Sequence, residues 1–179
     1  QARRRGCLGR DRPDGAGMIP GIAAGQMLTE VDGGGGGGES AAYWRVNVTA
    51  VHGGSYISIQ EIEMRATIGG ADQCTGGTAS SSSDLSVDHD AENAFDNGAA
   101  SESWISNAAA PGWIQYHFAS AVVVSELSIK AESGYLIGLN CSPKDFSLQY
   151  SDDGAAWADS FVVVATPAWS SSETRTFSA

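Results

Sequence analysis

Residues 142–157 read SPKDFSLQYSDDGAAW. Apolar and polar residues alternate through Phe146, Leu148 and Tyr150, the two-residue period of a strand with one buried face. The alternation stops at Ser151-Asp152-Asp153-Gly154, a turn signal in which Gly154 supplies the left-handed backbone that a side chain resists. Strand character resumes over 157–165, which contains the apolar run Phe161-Val162-Val163-Val164. The stretch is therefore expected to form a hairpin between two core strands.

The same pattern extends outward in both directions. Residues 43–51 (YWRVNVTAV) carry β-branched and aromatic side chains at Tyr43, Val46, Val48 and Val51, and residues 56–64 (YISIQEIEM) carry Ile57, Ile59, Ile62 and Met64. His52-Gly53-Gly54-Ser55 between them reads as a hairpin-like loop. Further strands are expected over 112–118, 122–130 and 173–177. Residues 69–83, rich in Gly, Ser and Thr, read as a long loop, and Ala91 to Phe95 fits one helical turn with Asp90 as its N-cap. No stretch of ten or more residues has the helical period. Seven or eight strands separated by Gly/Asp/Ser turns predict an all-β fold, an antiparallel jelly-roll-like β-sandwich over residues 43–179. Trp44, Trp104, Trp113 and Trp157 fall within or beside apolar strand patterns and are expected in its core.

Residues 1–42 lack either period and are read as an irregular, Gly-rich N-terminal arm whose six glycines at 33–38 form a flexible linker. Residues 1–17 differ in composition from the rest and read as upstream sequence, tag or arm, with Met18 as a plausible start. The net charge of the chain is -11. Five of its ten basic residues are Arg3, Arg4, Arg5, Arg10 and Arg12, so the chain from Met18 onward has 5 basic and 19 acidic residues. A body that acidic repels a phosphate backbone, and no nucleic-acid partner is expected. No apolar run is long enough to insert in a membrane. The segment 18–25 is too short and too rich in Gly and Pro for a signal-peptide core, so secretion would need another export route or release by lysis. Cys7, Cys74 and Cys141 form no CxxC pair, which argues against zinc, while Cys74 and Cys141 sit in loop-like sequence and could pair.

Three segments, AENAFDNGAASESW (91–104), PGWIQYHFASAVVVSELSI (111–129) and SPKDFSLQYSDDGAAW (142–157), resemble in order and spacing the discoidin, or coagulation-factor C-type, domain of the galactose-binding-like family. A fourth, YWRVNVTAVHGGSYISIQEIEM (43–64), resembles the last two strands of such domains but stands first here. The resemblance implies either a circularly permuted domain, in which residues 43–66 close the sandwich, or a fragment in which they finish a preceding domain. Permutation is favoured, because a sandwich without its closing strands exposes an open edge. Similar arrangements occur in bacteriophage structural proteins.

Many domains of that family hold a structural calcium near the A-F-D-G-N turn, and calcium takes six to eight oxygens from carboxylates and carbonyls. The resemblance assigns the ion (Ca2+) the side chains of Asp96 and Glu61, with backbone carbonyls near Ala91 and Gly98. The spacing from Asp96 to Trp104 is one residue longer than usual, so either Ser101 or Glu102 takes the remaining position. The competing reading has Asp96 capping a turn and Glu61 solvated on a strand. Family members bind ligands with loops at one end of the sandwich, and sugars need an aromatic face and planar polar groups. The candidates are His52, Tyr56, His89, Tyr135, Asn140 and Trp169, although loop aromatics often pack on their own sandwich. Catalysis finds little support. The three histidines His52, His89 and His117 accompany no nucleophile motif, Asp152 and Asp153 are adjacent turn residues, and the glycine run precedes no Lys-Ser/Thr.

The resulting expectation is a non-catalytic module for cell-surface glycan, displayed on a phage virion or another extracellular assembly and tethered through the N-terminal arm. Its alternatives are a purely structural virion decoration or tail protein binding protein neighbours, and an accessory module of a glycoside hydrolase.

Overall fold

The computed structural model describes residues 38–98, 102–134 and 136–178. Its strands are β1 (Ser40–Val51), β2 (Ser58–Ile59), β3 (Glu61–Arg65), β4 (Thr78–Ser81), β5 (Trp104–Ile105), β6 (Gly112–Val123), β7 (Glu126–Lys130), β8 (Pro143–Ser151), β9 (Ala158–Val163) and β10 (Thr174–Ser178). A five-stranded sheet of order β4-β6-β1-β8-β9 faces a three-stranded sheet of order β10-β7-β3, and β2 and β5 form a short separate ladder. All pairings are antiparallel, so the molecule is the expected antiparallel β-sandwich.

β1 lies at the centre of the large sheet. Trp44, Val46 and Val48 stand opposite Tyr116, Ile114 and Gly112 on β6, and opposite Tyr150, Leu148 and Phe146 on β8. β3 pairs with β7 and turns Ile62 and Met64 toward the same core as Leu127 and Ile129. Residues 40–65 therefore close this sandwich and do not finish a preceding one. Trp44, Val46, Val48, Ile62, Met64, Leu127, Ile129, Phe146 and Leu148 are almost fully buried, and burying apolar side chains of this size stabilises by roughly 1.5–3 kcal/mol each.

Several local expectations are corrected. Residues 43–64 do not form a hairpin: β1 pairs only with β6 and β8, and the chain then crosses to the opposite sheet, breaking at Gln60 between β2 and β3. β1 begins at Ser40, inside the segment read as arm. The stretch 69–83 contains β4, whose Thr, Ala and Ser offer no apolar alternation but hydrogen-bond to β6. The hairpin at 151–157 is present, with Gly154 at φ 71°. β9, however, is an edge strand with half-exposed valines, not a core strand. Cys74 and Cys141 are both buried and both free.

Candidate functional site

The first site is built where the edge of the small sheet meets the segment 87–98. Ala91–Phe95 forms a 3-10 turn, as expected, with the Asp90 carboxylate accepting from the Glu92 N–H at 3.1 Å. Its buried residues, Ala91, Ala94 and Phe95, anchor it to the core. After Asp96 the chain reverses through two left-handed residues, Asn97 (φ 60°) and Gly98 (φ 67°). That reversal aims the Gly98 N–H at the Glu61 carboxylate, which accepts it. Glu61 opens β3 and is only 7% exposed, so the reading of a solvated strand residue is corrected.

Burial raises the Glu61 carboxyl from 4.5 to about 7. The Asp96 carboxylate beside it adds to the rise, and the Gly98 and Asn97 amides partly offset it. Two carboxyl groups thus converge where one of them resists ionisation, an environment that a cation would relieve. Glu102 is exposed, and Ser101 lies outside the described residues. Among the described residues no group of three or more His, Cys, Asp or Glu side chains is placed to hold a metal ion, so Glu61 and Asp96 stand as a pair without a third such ligand.

The second site is a loop cluster at the end of the large sheet where β1 finishes and β8 begins. The Gly54 N–H donates to the Asn140 carbonyl at 3.0 Å. A Cβ on Gly54 would overlap Cys141, so only glycine permits this approach. His52 is half-buried here, and its buried Nε2 has no hydrogen-bond partner among the described residues. Burial lowers its pKa, the positive charges of Lys144 and Arg175 lower it further, and Asp145 opposes them. The imidazole is therefore held neutral near pH 7.

Trp169 belongs to the same end but not to its surface. It is 4% exposed, its indole N–H donates to the Pro143 carbonyl at 2.7 Å, and the Arg175 guanidinium covers its ring at 4.1 Å. Its expected role as a ligand platform is corrected to a packing role. Tyr56 is half-buried just before β2. His89 is held elsewhere, with Nδ1 3.2 Å from the Ser103 carbonyl on the segment leading into β5. Tyr135 lies outside the described residues.

The sequence pattern did not point to a third surface, the outer face of the five-stranded sheet. Trp113 and Trp157, expected in the core, are half-exposed there. Both flank Arg45, whose guanidinium carbon lies 5.9 Å and 4.0 Å from their ring centroids. Tyr43 and His117 stack at 3.9 Å on the same face, which gives His117 its structural role. Strict alternation would have found this face, since Trp113 is out of phase with Ile114 and Tyr116, and Tyr43 and Arg45 with Trp44 and Val46.

The F5/8 type C domain family matches residues 77–178. The chain belongs to that family. β1 and β3, which precede the matched region, complete the sheets of this F5/8 type C domain. No curated protein and no solved structure matches the chain. F5/8 type C domains are generally non-catalytic modules that bind carbohydrates or other ligands, and they are typically extracellular. Among the described residues no helix is long and apolar enough to cross a membrane.

Proposed function

We propose that this F5/8 type C domain is a non-catalytic module for cell-surface glycans, carried on the outside of a phage virion or another extracellular assembly. The observation that carries the reading is the loop cluster at 52–54 and 139–143. A neutral imidazole with an unpartnered buried nitrogen stands beside the Asn140 loop there. That nitrogen is shut off from solvent as the loops stand, so a sugar hydroxyl would pair with it only as the His52 and Asn140 loops part, and an uncharged imidazole would spare that contact the desolvation cost of a charge.

Calcium fits the pair of carboxylates. Glu61 and Asp96 would hold it, with backbone carbonyls near Ala91 and Gly98 completing the oxygen set. The ion's charge would allow both carboxyl groups to ionise together and would fix the turn 96–98 against β3. The chain itself contributes the rigid sandwich that sets the loops in place. Weak affinity at a single site would be offset by display in many copies. The tethering role falls to the N-terminal arm, most of which lies outside the described residues.

The test is a glycan array probed with the multimerised full chain in calcium and in EDTA. Reproducible binding to one sugar class supports the reading, and its loss in EDTA supports the calcium site. A folded protein that binds no glycan in either buffer overturns it and points to a structural partner instead.

A further inference from the structure

We propose that the outer face of the five-stranded sheet is a separate sugar-binding surface for an uncharged polysaccharide chain. Trp113 and Trp157 would stack on its rings, and the Asn47 and Gln115 amides would bind its hydroxyls. The proposal rests on the carbohydrate reading above but assigns a different surface from the loops at 52–57 and 131–142.

Four observations carry it. First, the two indoles stand on the solvent side of the sheet and remain partly exposed, whereas Trp44, Trp104 and Trp169 are buried. Large aromatic rings on a solvent face offer the flat apolar area that the C–H faces of a sugar need.

Second, the rings are held in place. The Arg45 guanidinium lies against both, its Nε donates to Gln149 Oε1 at 2.7 Å, and Gln149 Nε2 donates to Asp159 Oδ1 at 2.7 Å. This chain of contacts runs across β1, β8 and β9 and orders the surface before any ligand arrives, which reduces the entropy lost on binding.

Third, Asn47 is paired in register with Trp113, and Gln115 with Arg45. Both are half-exposed, and neither side-chain amide has a hydrogen-bond partner among the described residues. Planar donors and acceptors therefore sit free beside Trp113 and Arg45. Fourth, charge selects the ligand. Arg45 is balanced by Asp159 through Gln149, and the chain from Met18 onward carries 19 acidic against 5 basic residues. An anionic polymer is repelled by that excess, and an uncharged one is not.

The test is native affinity electrophoresis of the full chain through gels containing galactomannan, xyloglucan, arabinogalactan or dextran. It compares the wild type with Trp113→Ala, Trp157→Ala, the double variant and Ile68→Ala, with thermal melts to confirm folding. The expected result is retardation of the wild type by at least one polymer. Each tryptophan variant should weaken it about tenfold, and Ile68→Ala, a change at an exposed side chain outside both surfaces, should leave it unchanged. Because the other three tryptophans are buried, polymer binding should also shift the intrinsic fluorescence.

Retention that survives in the double variant, with no fluorescence change, overturns the sheet face and leaves the loop site standing. An array that binds small glycans while no gel polymer retards the protein does the same. Failure of both assays removes the carbohydrate reading altogether. Concentration-dependent self-association of the wild type that Trp113→Ala abolishes would assign the face to a protein partner and overturn the proposal.

Discussion

Without a divalent cation, Glu61 should make the protein lose stability as the pH rises toward neutrality. Its carboxyl has an ordinary value of 4.5 and is raised to about 7 in the folded chain, by burial first and by Asp96 second. Between those values the folded state holds a proton that the unfolded state has released, so unfolding becomes easier as the pH rises. Below 4.5 both states are protonated and the effect vanishes. Above about 7 both are ionised and the full penalty is felt. Every tenfold difference in proton affinity between the two states is worth about 1.4 kcal/mol, so the penalty approaches about 3 kcal/mol. The side chain is only 7% exposed, so solvent screening does little to reduce it.

The assay is urea unfolding of the wild type and Glu61→Gln from pH 4 to pH 8 in EDTA. The wild type should lose about 3 kcal/mol relative to the variant across that range, because the amide keeps the shape of the neutral acid and cannot ionise. Calcium should flatten the wild-type curve and leave the variant's unchanged. A difference that stays constant with pH would refute the reasoning, since it would mean that Glu61 ionises in the fold as freely as in the unfolded chain.

Other consequences follow from packing. Leu148→Ala removes a fully buried side chain that faces Val46 on β1 and Phe161 on β9, and should cost about 2–5 kcal/mol in chemical denaturation. Trp169→Phe takes from the Pro143 carbonyl its 2.7 Å indole donor, leaving the Thr166 hydroxyl at 3.0 Å as its remaining donor, and removes part of the surface under Arg175. It should lower stability by about 0.5–1.5 kcal/mol and leave glycan binding at its wild-type level once the protein is folded. Cys74 and Cys141 are buried, and burial with the nearby Asp72 charge pushes the Cys74 thiol up. Peptide mapping should find both unlabelled by iodoacetamide in native buffer and both labelled in urea.

The sandwich was legible because its central strands alternate strongly. Val46 and Val48 on β1, and Phe146 and Leu148 on β8, are residues the sequence pattern turned inward, and all are buried, whereas Tyr43, counted with them, stacks on His117 on the outer face. β4 was not legible, since Thr78, Ser80 and Ser81 owe their strand to pairing with β6 and not to any period of their own. Pairing was also hidden. Two adjacent apolar strands with a glycine loop between them look like a hairpin, and only the tertiary fold shows that 43–51 and 61–65 enter opposite sheets.

At the sites, Glu61 and Asp96 were singled out through the family resemblance, and the structure adds that the two carboxyl groups lie side by side with Glu61 buried. Loop residues were harder to assign. Trp169 lies in polar sequence with no period, so nothing local reveals that Pro143 and Arg175 enclose it. Trp113 and Trp157 were misassigned because hydrophobicity was weighed above phase. The cation between them comes from β1, far away in sequence.

Both candidate sites join residues 40–65 to the region that matches the family: Glu61 meets the turn 96–98, and Gly54 meets Asn140. The account therefore depends most on β1 and β3 being integral to the sandwich. Native-state amide hydrogen exchange tests this directly. The amides of Trp44, Val46 and Val48 should exchange only through global unfolding, with the same free energy as those of Ile114 and Leu148 on the neighbouring strands. Exchange of the β1 amides orders of magnitude faster than those of β6 and β8 would contradict the account, because β1 would then be a detachable strand and neither site would have its second half.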